Sequence, residues 1–333
     1  MTFTRLILLS LGLSSVLRAE ASETLIKNLE SVTSSKMCVY GLKETGGRGM
    51  DCLKVFQAAG DNRAGVYYGV YHVRENDVFA VYLARSTDLI TWKNVTLLDK
   101  HGAQAAIWPC ENGGYLLAYE KDGWNSCWIR IRYYDDLSDL STATYSGEFD
   151  ISRTLALTAE GTPSFELVEL GNRGIEESQI HLRFHYFKNI HVDQLARGTL
   201  KNFRSWKAAP LGDVNAELTR TGWRGNLGDR EKFSWHDTTY YLQEIQRRKG
   251  DWASWRICLC DDTGMPIRTL NIRTHDRSKA FANPNATWVT DSSNQRKLVV
   301  TLFLPSEGNS PSEVGTLLYV VNPSLTTIVP DAP

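Results

Sequence analysis

Along the chain, short apolar stretches alternate with polar turns, and they come in ordered sets. "LARSTDLITW" begins at Leu83, and "LARGTLKNFRSW" begins at Leu195. Similar elements, an apolar strand running into a polar turn, begin at Ile131, Ile257 and Leu317. Ahead of each lies a second strand: "GVYYGVYHV", "GGYLLAYEKD", "QIHLRFHYF", "TTYYLQEIQ" and "RKLVVTLFLP". Ahead of those lies another: "DCLKVFQAA", "AQAAIWPCE", "GTPSFELVE", "GDREKFSWH" and "NPNATWVTD". All are rich in strand-forming residues over a strand's length.

Several antiparallel strands repeating at about 60 residues mark a β-propeller. A β-sandwich would explain many short strands, but not five ordered copies of one triplet. The expectation is an all-β fold, a five-bladed β-propeller of four-stranded blades. "DCLKV", "AQAAI", "TPSFE", "REKFS" and "NATWV" should be its innermost strands. Helix is scarce. The best candidate is "SETLIKNLESVT", where Leu25, Ile26 and Leu29 form one stripe.

The remaining features set the context. The chain has 333 residues, within reach of one large all-β domain. Its net charge of −1 gives no electrostatic footprint for nucleic acid or an anionic membrane. The opening "MTFTRLILLSLGLSSVLRAEAS" has an Arg, an apolar run and a small-x-small site at Ala19–Ala21. Residues 1–21 therefore read as a signal peptide and 22–333 as a single secreted, extracellular domain. The apolar run is too short to span a bilayer. Six Cys in an oxidising compartment favour disulfides, with 15 possible pairings. Cys258 and Cys260 share a strand face and should not bridge each other. No second close-spaced Cys/His pair supports a zinc site, so no metal is expected, and no cofactor motif stands out. Asn94 and Asn285 open glycosylation sequons.

"YLARSTDLITWKNV" resembles the S-x-D-L-x-x-W turn of five-bladed propellers in the arabinanase, levansucrase and invertase superfamily. Glycoside hydrolase family 43 is the closest group within it. The resemblance implies a sugar bound at the mouth of the central funnel, where the innermost strands begin. Here those starts carry Asp51, Gln104, Glu160, Asp229 with Arg230, and Asn283. The family draws a base from the first blade and an acid Glu from the third, with a further Asp from the second. By position, Asp51 matches the base and Glu160 matches the acid. The base should accept hydrogen bonds and the acid should be the less exposed. The second blade has "AQAAIWPCENGG", without the family's Asp, and Asp229 is the candidate third carboxylate.

Gln104, Arg230, Asn283, Trp108 and Glu244 are candidate substrate-binding residues. Arg230 would fork to a hydroxyl or carboxylate, and Trp108 would stack on a sugar ring. Glu244 interrupts an apolar strand and needs a partner. Glu120, His181 and His185 read as hydrogen-bonded interior groups. The expectation is a secreted, monomeric glycoside hydrolase acting on an arabinan- or arabinoxylan-like carbohydrate by inversion. The rival is a non-catalytic, carbohydrate-binding or effector-like propeller. The missing second-blade Asp favours the rival, and the pair Asp51 and Glu160 favours the enzyme.

Overall fold

The computed structural model describes residues 21–58 and 64–321; residues 1–20, most of the expected signal peptide, lie outside them. Five four-stranded antiparallel sheets follow one another along the chain. Blade 1 is β2 (Asp51–Phe56), β3 (Tyr67–Glu75), β4 (Val78–Ser86) and β5 (Lys93–Lys100). Blade 2 is β6 (Gly102–Pro109), β7 (Tyr115–Gly123), β8 (Ser126–Tyr134) and β9 (Gly147–Ile151). Blade 3 is β10 (Glu160–Gly171), β11 (Gly174–Lys188), β12 (Val192–Lys201) and β13 (Ser205–Pro210). Blade 4 is β14 (Leu227–Trp235), β15 (Thr238–Gln246), β16 (Trp255–Cys260) and β17 (Pro266–Thr269). Blade 5 is β18 (Ala282–Thr290), β19 (Arg296–Leu304), β20 (Gly315–Val321) and, as its outer strand, β1 (Cys38–Val39) from the other end of the chain.

The first strands β2, β6, β10, β14 and β18 each touch the next, and β18 touches β2, so they close a ring. These are the five strands expected to be innermost. Apolar side chains fill the space between blades, which is why the strands are buried on both faces. The helix over residues 21–30 packs Leu25, Ile26 and Leu29 against blades 4 and 5.

The turn after β4 shows why its residues are needed. Ser86 Oγ accepts from the Leu89 amide at 2.9 Å, and Asp88 Oδ1 accepts from those of Ile90 and Thr91 at 2.9 and 2.7 Å. The fully buried Trp92 donates to the Leu89 carbonyl at 3.0 Å. The third-blade copy keeps the strand and the Trp but turns through Asn202 and Phe203, both with positive φ.

All six thiols are free. The expected disulfides do not form: the cysteines sit on four different blades, Cys110 and Cys127 lie near opposite ends of one, and Cys258 and Cys260 lie two apart on a single strand. The sequon residue Asn285 is 2 % exposed and accepts from the Val55 amide, so the folded chain offers no room for a glycan there. No helix among the described residues is long and apolar enough to cross a membrane.

Candidate active site

Each innermost strand breaks register with its neighbour at the same place. The breaks fall between Asp51 and Lys54, Ala103 and Ala106, Gly161 and Ser164, Leu227 and Arg230, and Ala282 and Asn285. In four blades the bulge holds a left-handed residue: Cys52 (φ 53°), Gln104 (52°), Thr162 (47°) and Asn283 (45°). Such backbone is costly for non-glycine residues, and a bulge re-aims the side chain it carries. Gly228 takes the corresponding place in blade 4.

Three of these side chains meet. Gln104 Oε1 accepts from Asn283 Nδ2 at 2.7 Å and from Cys52 Sγ at 3.1 Å. The Gln104 amide donates to His72 Nδ1 at 3.2 Å. Burial lowers His72 to about 4, so its ring is neutral and can accept. Gln104 and Asn283 thus come together as expected, joined by Cys52.

Asp51 lies next to this knot, half-buried. Burial raises its carboxyl to about 6. The expected hydrogen bonds to it play no part in that shift. Glu244, on β15, accepts from the Asn283 amide at 2.6 Å and is 6 % exposed. Burial raises it to about 8; the Asn283 amide opposes the rise, and the Asp229 charge adds to it. Gly228 is needed here, because a Cβ would collide with the Glu244 carboxylate. Asp51 and Glu244 both act electrostatically on the Cys52 thiol, whose pKa is raised first by burial and then by Asp229.

Asp229 is held in a buried ion pair. Its Oδ2 binds Lys54 Nζ at 2.7 Å, and its Oδ1 accepts from the Arg230 amide at 2.7 Å. Lys54 also donates to the Pro284 carbonyl at 2.6 Å and lies 3.5 Å from Glu231. Burial works against the Lys54 charge, but these carboxylates outweigh it and hold its pKa up. Asp229 therefore tunes the site through its charge.

Three candidates fall elsewhere. Glu160 is 1 % exposed, the less exposed partner as expected. Its Oε1, however, accepts from the amides of Thr154, Leu155 and Ala156 at 2.7, 2.5 and 2.9 Å. Its Oε2 is sealed from solvent. Glu160 thus clamps the loop before β10. Arg230 is fully buried and donates to the Gly228 carbonyl, and burial lowers it to about 10. It offers no fork to a ligand. Trp108 lines a cavity of about 250 Å³ with Phe165 and Trp288. Four residues beyond Gln104, it lies ~13 Å along the strand, toward the opposite end of the channel.

Three participants went unread in the sequence: Lys54, Cys52 and the role of Thr162. A Lys inside the apolar "DCLKVF" was the available signal, since an innermost-strand ammonium needs a buried partner. Thr162 Oγ1 donates to Glu120 Oε1 at 2.6 Å. His185 Nε2 lies 3.9 Å from Glu120 and 3.7 Å from Asp193. His181 pairs with Thr199 at 3.0 Å. Glu120 and His181 are the hydrogen-bonded interior groups expected; His185 is not, because its Nδ1 is buried without a hydrogen-bond partner and its Nε2 stands at ion-pair distance from the two carboxylates. Among the described residues no cluster of three or more His, Cys, Asp or Glu has metal-binding geometry.

The five-bladed propeller is the fold of solved glycoside hydrolases. A structure described as a glycoside hydrolase matches with a TM-score of 0.61 at 11% identity, over 93% of this chain and 97% of that one. A thermostable family-43 glycoside hydrolase matches at 0.55 and 11% identity, over 85% and 92%. Zg3597, a family 117 glycoside hydrolase from the marine bacterium Zobellia galactanivorans, matches at 0.50 and 15% identity, over 86% and 90%. No protein-family model matches the chain, and no curated protein matches it.

Proposed function

We propose that the protein is a secreted, monomeric glycoside hydrolase. It would bind an arabinan- or arabinoxylan-like poly- or oligosaccharide at the funnel mouth and cleave it with inversion. The observation that carries this reading is the placement of Asp51 and Glu244. Both flank the Cys52–Gln104–Asn283 knot where the innermost strands begin, and their pKa values straddle neutrality. An inverting hydrolase needs one ionised carboxylate to activate water and one protonated carboxyl to protonate the leaving oxygen. At pH 7 a carboxyl titrating at about 6 is mostly ionised and one at about 8 is mostly protonated. Asp51 is therefore the base and Glu244 the acid, with the Asp229 charge raising Glu244. The propeller shared with solved glycoside hydrolases agrees with this reading, although a fold hosts many functions.

The clamped Glu160 favours the second reading, a carbohydrate-binding propeller without turnover, because the acid matched by position is occupied. Hydrolysis of a panel of pentosides and neutral polysaccharides decides between them. Cleavage that is lost in both Asp51→Asn and Glu244→Gln supports the enzyme. No cleavage by the wild type leaves the binder. The pH–rate profile should be a bell with limbs near 6 and 8.

A further inference from the structure

Beside the funnel mouth is a cleft of about 550 Å³, walled by Phe79, His101, Asp122, Cys127, Thr158 and Phe187 from blades 1, 2 and 3. It adjoins the candidate site through Phe79. That ring packs edge-on against His72 at 5.1 Å, and His72 takes the Gln104 amide. A second cavity of about 560 Å³ lies farther out on blade 2, against Trp128, Asp150, Arg153 and Leu157. Ser126 lines both, so the two meet at the β7–β8 hairpin. At the tip of that hairpin stands Trp124, 94 % exposed, with Leu157 at 84 % on the far side.

Each feature has a bland explanation alone. A cleft can hold only water, and a single exposed apolar residue is ordinary. Together they set one cavity beside the funnel mouth and a second beyond it, meeting at Ser126 of the β7–β8 hairpin, with the exposed Trp124 ring at the hairpin tip. Aromatic rings offer an apolar face to the C–H side of a sugar and leave its hydroxyls free for polar groups. The charges along the path narrow the ligand. Asp77 and Asp122 line the inner cleft, and Asp150 and Arg153 the outer one. Asp150 is already held by Arg130 at 2.6 and 2.7 Å. Asp77 is likewise paired with Arg74 at 3.0 Å, so the path offers acceptors to hydroxyls while Asp122 and Arg153 leave it close to neutral, with no net positive charge to draw in a chain of carboxylates.

We propose that this groove over blade 2 is a binding path for a neutral polysaccharide chain, which leaves the funnel mouth and stacks one sugar ring on Trp124. The proposal rests on the carbohydrate reading of the funnel but not on cleavage.

The test is electrophoretic retardation in gels containing soluble arabinoxylan, linear arabinan or polygalacturonate, run on an Asp51→Asn background so that the polymer stays intact. Retardation by a neutral polymer should weaken about 3- to 10-fold on Trp124→Ala, the range expected for one stacked ring. Trp124→Phe, which keeps a ring, should recover most of it, and polygalacturonate should retard little. With Asp51 restored, Trp124→Ala should lose more rate on the polymer than on a short chromogenic pentoside. The proposal falls if neither neutral polymer retards the protein, if polygalacturonate retards it equally, or if Trp124→Ala changes nothing. Retardation that depends on Trp124, without hydrolysis of any substrate, would uphold the groove and remove the hydrolase. Hydrolysis with Trp124-independent retardation would do the reverse.

Discussion

Glu160 and Glu244 are both buried acids beside the bulged start of an innermost strand, yet their surroundings differ in kind. Three amides hold one oxygen of Glu160, and its other oxygen is sealed. Glu244 takes one amide, and the nearby Asp229 charge pushes against it. Burial alone therefore does not make a catalytic acid. The donors and charges around the carboxyl decide whether it anchors backbone or keeps a proton for transfer. Under the proposed hydrolase, the contrast gives blade 3 the structural role and blade 4 the chemistry.

The largest expected effect breaks the chemical side. Glu244→Gln keeps the shape and the amide contact but removes the transferable proton. Hydrolysis should fall by about 10²–10⁴-fold, the usual worth of general acid catalysis. The loss should be greatest for substrates with poor leaving groups, read as kcat for a series of aryl glycosides. An equal loss across the series would remove Glu244 as the acid.

Next comes the buried ion pair. Lys54→Met strands Asp229 and Glu231 without their buried cation, which should cost about 3–5 kcal/mol by chemical denaturation. A loss below about 1 kcal/mol would mean that Asp229 is hydrated, and its push on Glu244 would be correspondingly weak.

How much of this the sequence carried depends on range. The blades were legible because each strand's apolar pattern and each turn's Ser, Asp and Trp are local signals. Asp51, Gln104 and Asn283 were legible because a five-fold repeat places equivalent strand starts around one axis. The division of labour between Glu160 and Glu244 was not. It depends on which amides a folded loop presents to Glu160, and on Asn283, which is 39 residues from Glu244 in sequence. Lys54 pairs with Asp229 across 175 residues. Trp108 was misplaced because composition does not say how far along a strand the funnel extends.

The comparison also predicts a pH dependence of stability. Folding raises the Glu244 pKa from 4.5 to about 8. Between those values the folded state holds a proton that the unfolded state has lost. Its contribution is complete below pH 4.5 and declines as pH rises through about 8, by at most about 1.4 kcal/mol per pH unit. Asp51, raised from 3.8 to about 6, acts with the same sign over a lower window. Urea midpoints for the wild type should fall across this range, and those of Glu244→Gln should fall less. Parallel curves would place Glu244 in a solvated setting.

The smallest effect is the sharpest test of the other side. Glu160→Ala leaves three loop amides without their acceptor and should cost about 2–4 kcal/mol, some of it returned by water at the half-exposed loop. Glu160→Gln keeps a carbonyl oxygen in the same place. It should cost only about 1 kcal/mol, the difference between a charged and a neutral acceptor. If Glu160 is an anchor, Gln should keep most of the activity in the folded protein, and any loss should follow the melting temperature. A Glu160→Gln variant that melts like the wild type but loses activity as Glu244→Gln does would reverse the assignment. Glu160 would then be the acid, and the 154–156 loop would have to release it when substrate binds.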